Sequence, residues 1–435
     1  MKFYLHSIGC RLNQSEIETM ARQLLAAGHQ LVDKPSHADG AIINTCAVTN
    51  QAAKDSRVIH RKIREANRDA YIYITGCYAT IAPEKVVRKD ERDQVIANEL
   101  KAAVVQLIDS DSISMIEQYE KEPILREYLA STFGNTRAFV KVQDGCDNRC
   151  TFCVTTIARG KGRSRALGDV VSEVQLLAEA GYNEAVLTGV HLGSYGQDLT
   201  GRANLTTLIT AILSHSEIPR LRLSSLEPWD LEPEFFELWS DSRLLPHLHM
   251  PLQSGSDRIL RRMARRTSRS GFLRLVNTAR ESIPDLSLTT DIITGFPGES
   301  ESYFDDSLDY VSQIGFSRLH VFSYSKRPGT AAAAMSGHLP GKIVKARTQT
   351  MIKLGKRLSL EFHRGFVGRR RDVLWERPVG GNDRGIDWVG YTDNYIRVKT
   401  TSGADQFNKI KPTWLDVPDA GGMEGRIEEP VPAAG

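Results

Sequence analysis

Short apolar runs alternate with amphipathic stretches over the first part of the chain. "KFYLHS", "GAIINT" and "YIYIT" resemble buried strands, and "SEIETMARQLLAAG" and "QAAKDSRVIHRKIREAN" between them have the spacing of helices. Alternation of this kind predicts a small α/β unit with a parallel sheet. We therefore expect an N-terminal domain over residues 1–130.

A second β-then-α rhythm follows over residues 131–364. Six runs are strand candidates, and amphipathic segments such as "DVVSEVQLLAEAG" separate them. Six such units predict a partial TIM-type (β/α)6 barrel, whose chemistry lies in loops at the carboxyl ends of the strands. The candidate strands are "RAFVKVQ" (137–143), "NEAVLTGV" (183–190), "RLRLSSLE" (220–227), "HLHMPLQ" (247–253), "LSLTTDIITGF" (286–296) and "RLHVFSYS" (318–325).

The C-terminal part becomes strand-like after a basic helical connector at 341–364. "RRRDVLWER", "DWVGYTDN", "YIRVKTTS" and "FNKIKPTWLDV" predict a small closed β-barrel over 365–420. The tail over 421–435 has almost no large apolar residues, so we expect it to be disordered. The expected fold class is α/β, with a parallel N-terminal domain, a central partial barrel and a C-terminal β-barrel.

Composition and charge further predict that the protein is soluble and that it has a polyanionic partner. The chain is 41% hydrophobic and 25% charged, and it has no secretory signal or apolar run that could cross a membrane. A cytoplasmic protein without a membrane partner is expected. The net charge is only +3, but residues 342–371 hold ten Lys or Arg against one acid, and 258–269 hold six Arg and no acid.

Such basic runs are often solvated helix faces. Four more basic residues, however, lie close to the last three cysteines, and together with the two runs they favour a polyanionic partner. These four are Arg159, Lys161, Arg163 and Arg165.

Six cysteines form two sets of three. Cys10, Cys46 and Cys77 each follow one of the apolar runs of the N-terminal domain, so we expect them to meet at the carboxyl edge of its sheet. Cys146, Cys150 and Cys153 form a C-x3-C-x2-C motif after the first strand of the central barrel. Without an export signal, a disulfide framework is not expected.

Three thiolates suit an iron–sulfur cluster with one open iron. Structural zinc takes four ligands and a redox pair takes two, whereas a four-iron cluster takes one cysteine per iron. A set of three therefore leaves one iron free for a substrate or cofactor. A three-cysteine zinc site with a remote fourth ligand is the alternative.

The C-x3-C-x2-C spacing, with Phe152 before the last cysteine, resembles the signature of the radical S-adenosylmethionine (SAM) superfamily. In that superfamily the open iron binds the amino and carboxylate groups of SAM, and one-electron reduction cleaves SAM to a 5′-deoxyadenosyl radical. The resemblance extends to "LTGVHLGSYG", "SSLEP", "PLQSGSD" and "DIITGFPGE". It implies SAM contacts at Phe152, Gly189, Glu227, Gln253, Ser254 and Gly295.

The two trios together with a small β-barrel resemble the methylthiotransferases over nearly the whole chain. That resemblance implies two [4Fe–4S] clusters, with the N-terminal one supplying sulfur, and two uses of SAM, as methyl donor and as radical source. It also implies a reductase as electron donor, a sulfur source, and a C–S–CH3 product. The C-terminal barrel resembles the TRAM domain, which binds nucleic acid in the family. RNA contacts are expected at Arg163, Arg165, Arg369, Arg370 and Arg371.

The motifs around the cysteines separate three branches of this family. The branch acting on a ribosomal-protein aspartate reads C-P-K-N at the first cysteine, and the isopentenyladenosine tRNA branch reads C-Q-M-N. "GCRLNQSE", "NTCAVTNQA" and "QDGCDNRCTFC" resemble instead the branch acting on N6-threonylcarbamoyladenosine in tRNA, beside the anticodon. The implied reaction places sulfur and methyl on adenine C2 of that nucleoside.

Two alternatives remain open, and the sequence departs from the family pattern at two places. One alternative is the same chemistry on isopentenyladenosine tRNA or on a ribosomal protein, and the other is a zinc-binding, RNA-binding protein without catalysis. Thr155, Thr156 and Ile157 stand where the family often has Ile-Pro-Tyr, and Arg266 stands where a tyrosine is common. Neither departure removes a cysteine.

Overall fold

A computed structural model describes residues 1–86, 90–109, 136–201, 203–383 and 385–428. Its first part is a five-stranded sheet in the order β2-β1-β3-β4-β5, in which every neighbouring pair is parallel. The expected parallel N-terminal sheet is confirmed. The strands are β1 (Lys2–Ser7), β2 (Gln30–Val32), β3 (Gly40–Thr45), β4 (Tyr71–Gly76) and β5 (Asp93–Val95).

Helices cover both faces of this sheet because its central strands are apolar on both sides. All six residues of β3 are buried, and Gly40 lets the Phe3 ring lie where a Cβ would be only 2.5 Å away. The side chain of Thr49 accepts a hydrogen bond from the amide of Ala52 and so caps the second helix. The helices are α1 (Arg11–Ala26), α2 (Asn50–Ala66), α3 (Cys77–Ile81), α4 (Pro83–Val86) and α5 (Val104–Asp109).

The central part has six parallel strands that form an incomplete barrel. Three strands pair in the order β10-β9-β6 and three in the order β11-β12-β13, and bridges from Leu221 to Leu244 and from Ser225 to His249 join the two groups. A short antiparallel pair, β7 (Gln143–Asp144) and β8 (Arg163–Ser164), flanks the C-x3-C-x2-C loop. The six strands are β6 (Arg137–Lys141), β9 (Glu184–Thr188), β10 (Arg220–Leu223), β11 (His247–His249), β12 (Ser287–Thr294) and β13 (Arg318–Ser323).

The helices of the central part pack against outward-facing apolar side chains of these strands. Leu221, Leu248 and Leu288 belong to one continuous hydrophobic core with them. Successive strand residues point to opposite faces, so the inward face carries the polar neighbours of these leucines. The helices are α6 (Thr155–Arg159), α7 (Leu167–Glu179), α8 (Leu205–His215), α9 (Asp257–Arg262), α10 (Arg269–Ser282), α11 (Glu301–Ile314) and α12 (Ala331–Ala334).

A long helix connects the central part to a closed five-stranded β-barrel. This helix, α13 (Gly341–Arg364), packs on β13, where a Cβ at Gly355 would lie 3.1 Å from the Leu319 side chain. The barrel order is β14-β15-β16-β18-β17, so the expected C-terminal barrel is confirmed. Its strands are β14 (Arg370–Asn382), β15 (Gly385–Thr392), β16 (Arg397–Ser402), β17 (Lys409–Asp419) and β18 (Gly422–Ile427).

The expectation of a disordered tail from residue 421 is wrong for residues 422–427, which form β18. This strand pairs with β17 and β16 and closes the barrel. It needs few large side chains because glycine lets its backbone approach its neighbours, and a Cβ at Gly422 would lie 2.2 Å from the Arg397 carbonyl oxygen. Met423 is the side chain of β18 that is buried in the hydrophobic core of the C-terminal barrel. Residues 429–435 of the expected tail lie outside the described residues, as does the expected domain boundary at 130.

None of the described helices is long and apolar enough to cross a membrane.

Candidate active site

The first three cysteines, here called the N-terminal trio, lie at one edge of the parallel sheet. Cys10 precedes α1, Cys46 follows β3 directly, and Cys77 is the first residue of α3 after β4. Strands β1, β3 and β4 are neighbours, so their carboxyl ends bring the trio together as the sequence predicts. Gly9 has a φ of 111°, and a Cβ there would lie 2.7 Å from the Cys46 sulfur, so only glycine fits at this approach.

The thiols of the N-terminal trio differ in exposure, and burial disfavours the thiolate of Cys46. Cys46 and Cys77 are buried, whereas Cys10 is exposed. Burial raises the pKa of Cys46 to about 12, and the charges of Cys10 and Cys77 raise it further while the Val48 amide opposes the shift. Because metal ligation needs thiolates, loading a cluster here would release protons.

The other three cysteines, the loop trio, lie in the loop between β7 and β8. Cys146, Cys150 and Cys153 are partly exposed, and the amides of Asn148 and Thr155 donate to the sulfurs of Cys146 and Cys153 at 3.4 Å. Burial raises the pKa of Cys150 to about 11, although Arg265 lowers it. The loop therefore presents three sulfurs at the carboxyl end of the first barrel strand, where a barrel of this kind has its chemistry.

A buried network around Arg159 joins the N-terminal trio to the segment that follows the loop trio. Arg159 ends α6, six residues beyond Cys153, and its Nε donates to the Cys77 sulfur at 3.3 Å. Its Nη1 lies 2.8 Å from Glu16 Oε1 and 2.9 Å from Asp144 Oδ1. Its Nη2 donates to the Asn13 side-chain oxygen at 2.8 Å. The prediction that Arg159 helps to favour a polyanionic partner is wrong for this residue, because the carboxylates of Glu16 and Asp144 enclose it.

Glu16 is the main partner of this guanidinium. It also lies 2.7 Å from Lys101 Nζ. Burial opposes ionisation of Glu16, but Arg159 and Lys101 outweigh it and hold its pKa well below the ordinary range. A doubly paired carboxylate thus holds α1, and Cys10 at its start, against the loop that carries the second trio.

The residues expected to contact SAM lie in contrasting environments. Glu227 is paired with Arg265, whose Nη2 is 2.6 Å from Oε2, and Gln253 has a φ of 74° at the end of β11. Ser254 is buried and shares a hydrogen bond of 3.2 Å with the Ser307 hydroxyl. Their roles toward SAM remain predictions.

The remaining three expected SAM contacts are packing or backbone positions. A Cβ at Gly189 would lie 3.0 Å from the Gln143 side-chain oxygen, and the Gly295 amide donates to Glu299 Oε2 at 2.8 Å. Phe152 packs against a buried cluster that contains Met263 and Phe296. Gly189 is therefore required by a close approach of β9 to the loop before Cys146, whatever else it contacts.

The five arginines expected to bind RNA divide into exposed and enclosed residues. Arg163 is exposed, and Arg369 and Arg370 keep 44% and 47% of their side chains exposed although they pair with Asp285 and Glu428. Arg165 and Arg371 are each only 12% exposed. Arg165 pairs with Glu173, and Arg371 pairs with Asp285 and Asp393, so both have a structural role within the fold.

Two residues near the loop trio were not expected from the sequence. His191 Nε2 lies 2.5 Å from Asp230 Oδ2, and burial opposes its protonation, but Asp230 and Cys146 outweigh burial and raise its pKa to about 10. Arg265 lies 3.9 Å from the Cys150 sulfur, inside the basic run at 258–269. The sequence around His191 and Arg265 does not indicate a functional role for either residue, because the partners of both are distant in sequence.

Within the described ranges, no three Cys, His, Asp or Glu side chains converge as they would around a single metal ion. A four-iron cluster spreads its thiolates over separate irons. The donor set of each trio, three cysteines without histidine or carboxylate, therefore fits an iron–sulfur cluster better than the zinc site that the sequence left as an alternative.

Comparison with known proteins identifies the family. The radical SAM superfamily model matches residues 140–311, and the model of the uncharacterized protein family UPF0004 matches residues 2–97. The chain is 34% identical to threonylcarbamoyladenosine tRNA methylthiotransferase MtaB of Bacillus subtilis, over 93% of this chain and 91% of the relative. The MtaB protein of Thermotoga maritima is 37% identical over 90% of each chain. The chain belongs to the radical SAM methylthiotransferase family.

A relative that is named for a different substrate has about the same sequence identity to this chain as the MtaB proteins. The tRNA-2-methylthio-N(6)-dimethylallyladenosine synthase of Thermobifida fusca is 34% identical over 88% of this chain and 79% of the relative. Among solved structures, the radical SAM methyltransferase TsrM of Kitasatospora setae superposes with a TM-score of 0.57 at 15% identity, covering 76% of this chain and 77% of that one. This likeness shows the shared fold.

Membership gives this methylthiotransferase its general chemistry. Radical SAM enzymes use SAM and a [4Fe–4S] cluster, and the loop trio lies within the residues that the family model matches. Cys146, Cys150 and Cys153 would hold this cluster, which would supply the electron for cleavage of SAM.

Proposed function

We propose that this enzyme is a tRNA methylthiotransferase that places sulfur and a methyl group on adenine C2 of N6-threonylcarbamoyladenosine beside the anticodon. Among the relatives compared, those named for that nucleoside are 33–37% identical to the chain. The first-cysteine motif "GCRLNQSE" favours the same branch.

The observation that carries the proposal is the contact between the N-terminal trio and the chain segment that directly follows the loop trio. Sulfur insertion at a C–H position needs a radical source and a sulfur carrier that face one substrate. Arg159 contacts Cys77 of the N-terminal trio and ends the helix that follows the loop trio. We propose that the N-terminal trio holds a second [4Fe–4S] cluster, which takes up sulfur and receives the methyl group of SAM.

The substrate and the partners of the enzyme follow from the reaction. We propose tRNA as the substrate, a reductase as the electron donor and a separate sulfur source. An adenine beside the anticodon lies in a loop, where it is unstacked more easily than a base within a helix. Such unstacked bases are the usual targets of single-stranded RNA recognition.

The second candidate is the same reaction on dimethylallyladenosine in tRNA. It is favoured by one observation, the 34% identity to the synthase of Thermobifida fusca that bears this substrate in its name.

Mass spectrometry of tRNA nucleosides tests both candidates. A strain lacking this gene should lose the 2-methylthio form of threonylcarbamoyladenosine and accumulate its precursor, and the wild-type gene should restore the product. Loss of the methylthio form of dimethylallyladenosine instead would establish the second candidate. If neither nucleoside changes, both candidates are ruled out.

The matched control is the same gene with Cys46→Ala. This variant should leave the precursor unconverted, because it removes one cysteine of the N-terminal trio.

A further inference from the structure

Polar and charged side chains line the inside of the central barrel, below the two trios. We call this space the lumen recess; its lining comprises Arg11, His247, His249, Asp291, His320 and Tyr395. Outward neighbours of these residues, such as Leu248, belong to the hydrophobic core, which leaves the polar members facing inward.

Close contacts hold the members of the recess together. The rings of His247 and Tyr395 are 4.6 Å apart, and those of His249 and His320 are 5.5 Å apart. His249 Nε2 lies 3.4 Å from Asp291 Oδ1, and these two side chains remain 13% and 27% exposed. The recess is therefore open to solvent at the level of His249 and Asp291.

The recess adjoins Cys10 and one of the expected SAM contacts. Arg11 directly follows Cys10, and its Nη2 donates to the Tyr395 hydroxyl at 2.8 Å. The Gln253 amide donates to the Asp291 carbonyl oxygen at 2.8 Å, so Asp291 lies beside a residue that is expected to contact SAM. A nucleobase held close to Cys10 and SAM would therefore bring its substituent to this space.

Three guanidiniums surround Tyr395, and two of them have carboxylate partners. Arg137 Nε lies 2.5 Å from Glu376 Oε1, and Arg222 Nε lies 2.7 Å from Glu184 Oε1. Over the described part of the chain, no carboxylate lies within ion-pair distance of Arg11, whose Nη2 donates to the Tyr395 hydroxyl.

Further polar atoms at the floor of the recess lack partners. Arg222 Nη1 and His247 Nδ1 are buried without a hydrogen bond among the described residues. Buried polar atoms are normally satisfied. The Arg11 guanidinium without an ion-pair partner and these polar atoms together favour a polar ligand with a negative charge over an apolar one.

We propose that the lumen recess binds the N6-substituent of the substrate nucleoside and that Arg11 pairs with its carboxylate. The threonylcarbamoyl group carries one carboxylate and one hydroxyl. A dimethylallyl group would bury the Arg11 charge without a partner, which gives selection against it. This inference rests on the proposed function and assigns Arg11 as its specificity-determining residue.

Binding of anticodon stem-loop RNA tests the proposal with three ligands. They carry threonylcarbamoyladenosine, its methyl ester, or dimethylallyladenosine at the target position. The wild-type protein with its clusters should bind the free acid roughly 10- to 100-fold more tightly than the ester, the range expected for a charge-assisted hydrogen bond. Equal affinity for acid and ester in the wild-type protein would overturn the proposal.

Variants at Arg11 then assign the preference to this residue. Arg11→Gln should bind acid and ester equally, and Arg11→Lys should retain part of the preference because it keeps the charge. Arg61→Gln, which removes a cation from an exposed ion pair in the same domain, should keep the full preference. A full acid preference in Arg11→Gln would contradict the assignment.

Two further readouts separate the possible failures. Iron content and SAM cleavage show whether Arg11→Gln still holds its clusters. If it does not, Tyr395→Phe tests the same recess, since it removes the hydroxyl that fixes Arg11 and should reduce the acid preference. A wild-type enzyme that modifies threonylcarbamoyladenosine without any acid preference would refute the recess alone, whereas one that modifies only dimethylallyladenosine would refute the proposed function.

Discussion

The six cysteines divide the chemistry between two sites at the scale of single residues. Each trio supplies three thiols and no other ligand type, and each lies at the carboxyl end of parallel strands. The surrounding residues differ, since Arg159 touches Cys77 and Arg265 approaches Cys150. Separate substitutions should therefore have separate effects.

Cys150→Ala should abolish SAM cleavage, because the family-signature cluster loses one of its ligands. Cys46→Ala should keep reductive SAM cleavage and form no methylthio product, because it affects only the N-terminal trio. The measurement is release of 5′-deoxyadenosine beside product formation, under the same reducing conditions. Release of 5′-deoxyadenosine by Cys150→Ala at the wild-type rate would contradict the role of the loop trio.

Tyr395 should ionise near pH 8. Burial opposes its ionisation, but Arg137, Arg11 and Arg222 outweigh burial and lower its pKa from 10.0 to about 8. Its folded-state pKa lies below the unfolded value, so the stabilisation is fully present above pH 10 and is lost as pH falls through 8. Ultraviolet titration should show one phenolate forming near pH 8.

Tyr395→Phe should lack this step, and Tyr391→Phe should retain it, because burial raises the pKa of Tyr391. An unchanged titration in Tyr395→Phe would show that the arginines do not act on this phenol.

At the scale of elements, the basic segment from α13 into β14 has two kinds of arginine. Arg370 is largely exposed at the start of β14, whereas its neighbour Arg371 faces inward and pairs with Asp285 and Asp393. Because successive strand residues face opposite sides, one arginine is available to RNA and the next one is not.

Arg370→Ala should weaken tRNA binding and reduce the slope of log affinity against log salt by about one. Arg371→Ala should leave the salt slope unchanged and lower stability instead, since Asp285 and Asp393 lose a buried partner. Affinities over a salt series and the unfolding temperature measure the two effects. The same change of slope in both variants would show that enclosure does not separate the two arginines.

At the scale of the whole molecule, two buried networks join the three parts of the chain. Arg159 connects α1 to the loop after the first barrel strand. Tyr395, from the C-terminal barrel, receives hydrogen bonds from Arg11 of the N-terminal domain and Arg137 of the central barrel. The relative placement of the two trios therefore depends on charges contributed by all three parts.

Arg159→Gln should destabilise the protein without clusters by roughly 3 kcal/mol, because it leaves a buried carboxylate with fewer partners. Arg92→Gln is the matched control: it breaks an exposed ion pair with Asp69 and should cost less than about 1 kcal/mol. Urea unfolding measures both. Equal small losses would mean that the Arg159 network does not hold the domains together.

From the sequence alone, the alternation of strands and helices and the incomplete barrel could be predicted, and the six cysteines stand as candidate ligands. These follow from local apolar periodicity and from the chemistry of thiolates, both of which are visible within short stretches. Tertiary structure alone decided that Arg159 is buried, that Arg11 reaches Tyr395, and that the glycine-rich residues 422–427 complete a barrel. The physical reason is that ion pairing and close backbone approach depend on partners far apart in sequence, which no local pattern encodes.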